Sequence, residues 1–193
     1  MSSVVGHAAA GIASFLAINA QKSKRAPAVL CVSVFLAICA DFDYLAIWFC
    51  GYTLTPRVTH SFAFALVMST TVFAATRIHD KDQSNISFTA LFIASLSHPM
   101  LDLFVGAHSV PLLWPLPYAD VSAPGILPSA GTLSISNYFL WRNLFIEMGV
   151  LLPAFGLLIA LARRIAWRTI LSRMLILVPI WLLFVIWSVG LKR

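Results

Sequence analysis

Apolar residues run along this chain in long blocks, separated by short polar breaks. A helix needs about 20 predominantly apolar residues to cross the hydrocarbon core of a bilayer. Six blocks approach that length: Val4 to Ala20, Ala26 to Trp48, His60 to Thr76, Phe88 to Val105, Tyr138 to Ala162 and Met174 to Leu191. The pattern predicts an all-α, polytopic membrane bundle of about six transmembrane helices, with residues 1–193 as a single integral membrane domain. The first and third blocks are short, which suits a helix that is tilted less or partly sunken. No internal repeat or low-complexity tract interrupts the series. Between the fourth and fifth blocks the pattern changes from Gly106 to Asn137, which holds Pro111, Pro115, Pro117, Pro124 and Pro128. Proline removes a backbone donor and cannot sit inside a regular helix without cost. A Pro-rich loop is expected here. Its Leu112, Leu113, Trp114 and Tyr118 predict a loop packed on the bundle or set into the membrane interface, where Trp and Tyr prefer to sit.

Composition supports the same class. Hydrophobic residues make up 60% of the chain and charged residues 10%, against about 25% charged in a soluble domain. The net charge of +6 could suggest nucleic acid. The basic residues lie instead in short loops between apolar blocks, which is the orientation signal of a membrane protein. No nucleic-acid partner is expected; membrane lipids are. Lys22, Lys24 and Arg25 mark the first loop, Arg77 and Lys81 the third, and Arg163, Arg164, Arg168 and Arg173 the fifth. The second has only Arg57, and the fourth has no basic residue before Arg142. Loops one, three and five should face the cytoplasm, and both termini outward, although Lys192 and Arg193 oppose that. The start, Met1 to His7, lacks the basic region and cleavage site of a removable signal peptide. Cys31, Cys39 and Cys50 have no CxxC spacing and read as packing or lipid-facing residues.

Polar residues inside the apolar blocks then carry the chemistry. His98 and Asp102 are four apart, so they share one helix face. An ionisable residue at membrane depth is expensive and points to function. Asp41 lies about 22 Å up the second block, near its outer end, with Asp43 beside it. His60 opens the third block, His7 lies near the outer end of the first, and His108 follows the fourth. All six gather toward one face of the bundle. Imidazole and carboxylate suit a divalent metal, above all zinc, and a catalytic zinc keeps one position open for water. Such an ion lowers the pKa of that water and polarises a phosphoryl oxygen. Asp41 and Asp43 are two apart, so either one alone binds or the helix ends there and both turn inward. Asp43 could also cap the helix. His7 could face headgroups, and His108 could be solvated. Thr55-Pro56 reads as a cap followed by Pro at the first helical position, one turn before His60. Pro99 could kink the fourth helix beside His98. His79, among Arg77, Asp80 and Lys81, reads as a solvated loop residue. Arg142 and Glu147 could pair with each other, or contact an anionic substrate and a ligand histidine. Zincin HExxH, serine-hydrolase GxSxG and P-loop patterns are absent.

The polar pieces resemble a known family in order and spacing over roughly residues 6 to 115. They are Gly6-His7, Ala40-Asp41-Phe42-Asp43, Arg57-Val58-Thr59-His60-Ser61, Ser97-His98-Pro99-Met100-Leu101-Asp102 and Val110-Pro111-Leu112-Leu113-Trp114-Pro115. They look like the YdjM-like membrane-bound, metal-dependent hydrolases, also described as LexA-binding, inner-membrane-associated hydrolases. The resemblance implies a bacterial inner-membrane location and metal-dependent hydrolysis. Tyr44 and Pro56 stand where that family often has His. A looser similarity is to zinc-dependent phospholipase C, whose ligands follow the same order. It implies Asp41, His60 and His98 on one ion, His7 on a second, and Asp102 as the bridge.

The resulting expectation is a membrane hydrolase with one or two divalent ions, most simply zinc. Its ligands are drawn from His7, Asp41, His60, His98, Asp102 and His108. Asp43 would serve as general base, and Arg57 and Arg142 would bind substrate. The reaction would be phosphoester hydrolysis on a lipid or lipid-linked phosphate reached from the outer face. The alternative is a non-enzymatic metal-binding membrane protein, a carrier or a structural partner of a membrane complex.

Overall fold

A computed structural model of the chain describes residues 3–17, 26–51, 55–79, 87–106, 108–117, 120–129 and 134–191. Among these the chain is helical, with no β-strand beyond an isolated Val110–Val121 bridge. In order the helices are α1 (Val4–Ala17), α2 (Ala26–Ile38), α3 (Asp43–Cys50), α4 (Phe62–His79), α5 (Phe88–Val105), α6 (Tyr138–Ala162) and α7 (Trp167–Val189). Four stretches are long and apolar enough to cross a membrane: Ala26–Leu45, Phe88–Val105, Tyr138–Ala162 and Trp167–Val189. Val4–Ala17 and Phe62–Ile78 are shorter apolar helices. The basic loop residues Lys22, Lys24, Arg25 and Lys81 lie outside the described residues, as do Asp80, Asp82, Tyr118, Lys192 and Arg193.

Helix α1 packs on α2, α5 and α6, and α5 packs on α2 and α4. The close approach of α1 to α2 requires Gly11, because a Cβ there would stand 2.7 Å from the Val34 Cα and 2.8 Å from the Ser33 carbonyl oxygen. One core forms where Ala10 meets Leu101, Val105, Leu127, Val150 and Leu151. A second joins Leu36, Leu91 and Ala94. Helix α7 packs chiefly on α6, and most of its apolar side chains face outward.

Several boundaries differ from the hydropathy reading. The second block does not run straight to Trp48. A 3-10 turn, Cys39–Phe42, separates α2 from α3; the helix does end there, but Asp41 and Asp43 do not both turn inward, since Asp41 approaches His60 and His98 while Asp43 pairs with Arg57. Thr55-Pro56 does not open a helix either. His60 lies in a 3-10 turn, Val58–His60, and α4 begins at Phe62. Ser61 caps it, its extended backbone allowing Oγ to accept from the Phe64 N–H. His79 is the last residue of α4 rather than a loop residue. Helix α7 starts at Trp167, so Arg168 and Arg173 belong to the helix. Helix α5 is assigned without a break through Pro99.

The chain between α5 and α6 lies on the bundle. The Leu112 carbonyl accepts from the Phe62 N–H, and the Phe104 carbonyl accepts from Ile126 and Leu127. Gly106 ends α5 with φ 63°, and a Cβ there would meet the Gly125 N at 2.4 Å. Only glycine suits that junction.

Candidate metal centre

Four chain segments deliver the cluster. Helix α1 supplies His7, the turn after α2 supplies Asp41, the turn before α4 supplies His60, and α5 supplies His98 and Asp102. His7, His60, His98 and Asp102 are buried, and the Asp41 side chain keeps 14% exposure.

Hydrogen bonds orient both central imidazoles. His98 donates from Nδ1 to the Ala37 carbonyl at 2.7 Å, which leaves Nε2 as a bare lone pair. The Thr59 hydroxyl donates its one hydrogen to Asp43 Oδ2 at 3.1 Å, so it accepts from His60 Nδ1 at 3.0 Å. In the neutral rings Nε2 is then the acceptor nitrogen of His60, as it is of His98. The two Nε2 atoms face each other at 3.3 Å. Asp41 Oδ1 stands 3.5 Å from His98 Nε2 and 3.7 Å from His60 Nε2. Asp102 Oδ2 stands 3.2 Å from His60 Nε2 and 3.8 Å from His98 Nε2. Two triads overlap at His98, Asp41–His60–His98 and His7–His98–Asp102, and with both carboxylates ionised they bring two negative charges into a buried space. Positive charge offsets such a burial, from a protonated imidazole or from a bound cation. Bonds of about 2.1 Å to a tetrahedral ion set ligand atoms about 3.4 Å apart, close to the separations here. The donor set and its spacing fit a divalent metal.

His7 adjoins this group. Its ring stacks on that of His98, with centroids 3.7 Å apart and planes 10° from parallel. Neither ring nitrogen makes a hydrogen bond among the described residues. Nε2 faces Asp102 Oδ1 at 3.6 Å. Each oxygen of Asp102 therefore addresses a different part of the cluster, Oδ2 the His60–His98 side and Oδ1 the His7 side.

The remaining expected residues divide. Asp43 is held by Arg57 in a two-point contact, both distances 2.7 Å, and by Thr59. Its carboxylate supports Arg57 and His60 instead of pointing at the convergence point. Burial disfavours the Arg57 charge, but Asp43 outweighs it and the guanidinium pKa is raised. Arg57 also lies over the Tyr44 ring at 4.6 Å, so Tyr44 packs on the guanidinium at the position where the resembling family often has His. His108 is not among the converging atoms. It lines the neighbouring cavity, and burial lowers its pKa. Arg142 is not part of the cluster; it bonds Asn143 Oδ1 and lies over Phe139. Glu147 accepts the Ser3 N–H at 3.0 Å, anchoring the start of α1 just ahead of His7. Thr59, Ala37 and Ser3 carry orientation that the sequence reading did not assign. Only Thr59 left a signal, its place beside His60 in the Arg57 to Ser61 motif.

A cavity of about 410 Å³ opens over His60. Its walls include Tyr44, Ile47, Arg57, His108, Val110, Pro111 and Asp120. Its walls are largely apolar, with the Arg57 guanidinium, the Asp120 carboxylate and the His60 and His108 imidazoles as polar groups.

Residues 1–191 match the family described as YdjM inner membrane protein. The chain belongs to this family. No curated protein and no solved structure matches it. Membership in the YdjM family and the apolar helices make this an integral membrane protein.

Proposed function

We propose that this YdjM-family protein is a metal-dependent hydrolase that cleaves a phosphoester in a lipid or lipid-linked substrate. The observation that carries the reading is the approach of His60 Nε2 and His98 Nε2 to each other and to Asp41 Oδ1 and Asp102 Oδ2, at 3.2 to 3.8 Å. Zinc suits those ligands best, and an ion there would supply Lewis acidity toward a phosphoryl oxygen together with an activated water. His7 Nε2 and Asp102 Oδ1, 3.6 Å apart, would help to hold a second ion, which would supply further charge stabilisation at the phosphoryl group. The residues do the rest. Thr59 and Ala37 hold the imidazoles in one tautomer, as partners of ligand histidines generally do. Arg57 stands beside the cavity to take the anionic group. Asp43, expected as a general base, acts in this reading by holding Arg57 and Thr59. His108 at the cavity wall is placed for proton transfer at the substrate, not for ligation.

We further propose six crossings, with α1 and α4 as the short ones, and a cluster that faces outward. Ser3 and Leu16 stand about 20 Å apart along α1. Ser3 is tied near the cluster through Glu147, whereas the Leu16 carbonyl accepts from Arg163. The arginine-rich turn therefore lies at the far end from the cluster, and basic loops stay in the cytoplasm.

The test is metal analysis of purified protein, followed by assay against phospholipids and lipid-linked phosphates with and without chelator. Asp102→Asn keeps the shape but removes a charge, so metal content and hydrolysis should both fall to background. His79→Ala should change neither. Metal without cleavage of any substrate in a broad panel would favour the non-enzymatic metal-binding reading. Full activity in Asp102→Asn would sink the hydrolase proposal.

A further inference from the structure

Away from the cluster, α6 and α7 pack on each other and leave apolar cavities along their seam. Two adjoining cavities, of about 330 and 280 Å³, make up this groove. They share Pro153, Leu157, Met174 and Leu177 as a common wall; the first, the channel, is lined by Arg173, and the second reaches Trp181. A Cβ placed on Gly156, which lines the channel, meets nothing within 4 Å. Charge is confined to one end. Arg173 lines the channel there, and Arg164 and Arg168 flank the turn between the helices. None of these three arginines makes an ion pair with an acid among the described residues, and each is exposed. The far end is wholly apolar, with Leu158, Val178 and Trp181.

We infer that this groove is a binding site for an anionic phospholipid. An acyl chain lies along Leu157, Met174 and Leu177, and the phosphate meets Arg173 and Arg168. The site is distinct from the His–Asp cluster and does not depend on the hydrolase reading. A second copy of the chain is the competing occupant, since Gly156 and Ala160 are small residues four apart, a spacing that lets membrane helices approach closely. Charge decides between them. Packing two copies face to face on this groove would bring Arg164, Arg168 and Arg173 toward their own counterparts, whereas an anionic headgroup complements them. Each arginine near a lipid phosphate contributes about 1 kcal/mol, roughly fivefold in affinity.

Native mass spectrometry of the full chain in a neutral detergent tests this, with phosphatidylglycerol and phosphatidylcholine of identical acyl chains as probes. The wild-type chain should hold phosphatidylglycerol in preference. Arg168→Gln with Arg173→Gln should erase most of that preference, a loss of roughly 25-fold at two arginines. Arg77→Gln, at a different helix end, should keep it. Gly156→Leu places a side chain in open space, so the fold tolerates it while the channel is filled; retention of both lipids should drop. Equal retention of the two lipids by the wild type would overturn the inference. So would an unchanged preference in the double arginine variant, or a dimer that Gly156→Leu dissociates.

Discussion

Thr59 shows how much one hydroxyl can decide. Its single hydrogen goes to Asp43, so its lone pair receives His60 Nδ1, and the neutral His60 ring then presents Nε2 as its acceptor nitrogen. Thr59→Val keeps the volume and removes both bonds. Loss of such an outer partner typically costs 10- to 100-fold in metal affinity. Competition against a chromogenic chelator should show that drop, while Thr59→Ser should restore wild-type affinity. Unchanged affinity in the valine variant would mean that Thr59 does not set the tautomer. The ligand candidates themselves were legible from sequence, because His98, Asp102 and Asp41 are costly at membrane depth and therefore conspicuous. The roles of Asp43 and Arg57 were not. Their mutual two-point contact links residues on either side of a loop, and no periodicity reports which carboxylate a guanidinium will choose.

At the scale of elements, the junctions matter more than the helix interiors. Hydropathy found each apolar block, yet it read Ala26 to Trp48 as one helix. The 3-10 turn at Cys39–Phe42 is invisible to it, because Cys39 and Ala40 are as apolar as their neighbours. That turn changes the rotation per residue, so Asp41 addresses the imidazoles while Asp43 addresses Arg57. The packing of α1 on α2 yields a sharper expectation. At Gly11 a Cβ would meet backbone, which cannot swing aside. Gly11→Ala should destabilise the bundle by about 1–3 kcal/mol, the usual cost of overpacking, and thermal unfolding in detergent should show it. Gly156→Ala faces open space and should be neutral or slightly stabilising in a helix. Equal behaviour of the two variants would mean that the α1–α2 approach is looser than described.

For the whole molecule, the open question is which way the bundle faces. In a chain whose three cysteines are replaced, Ser122→Cys should react with a membrane-impermeant reagent in intact cells. Arg168→Cys should react only after permeabilisation. The reverse pattern would put the cluster on the cytoplasmic side and require a substrate from the inner leaflet. Sequence alone carried the fold class well, since 60% hydrophobic content leaves few alternatives. It could not reveal that α7 packs chiefly on α6, because α7 is as apolar as the helices that build the core.

The meeting of three chain segments at His60, His98, Asp41 and Asp102 also bears on how long the protein lasts in a cell. An ion held by His60, His98, Asp41 and Asp102 would join the turn after α2, the turn before α4 and α5, none of which is covalently adjacent to the others. A ligand that binds only the folded chain adds about 2.7 kcal/mol of stability at a hundredfold excess over its dissociation constant. Abundance would then follow metal supply. Under zinc starvation the chain should be degraded faster by membrane proteases, and pulse-chase measurement should show its half-life recover when zinc returns. In Asp102→Asn that dependence should vanish, leaving a uniformly short-lived protein.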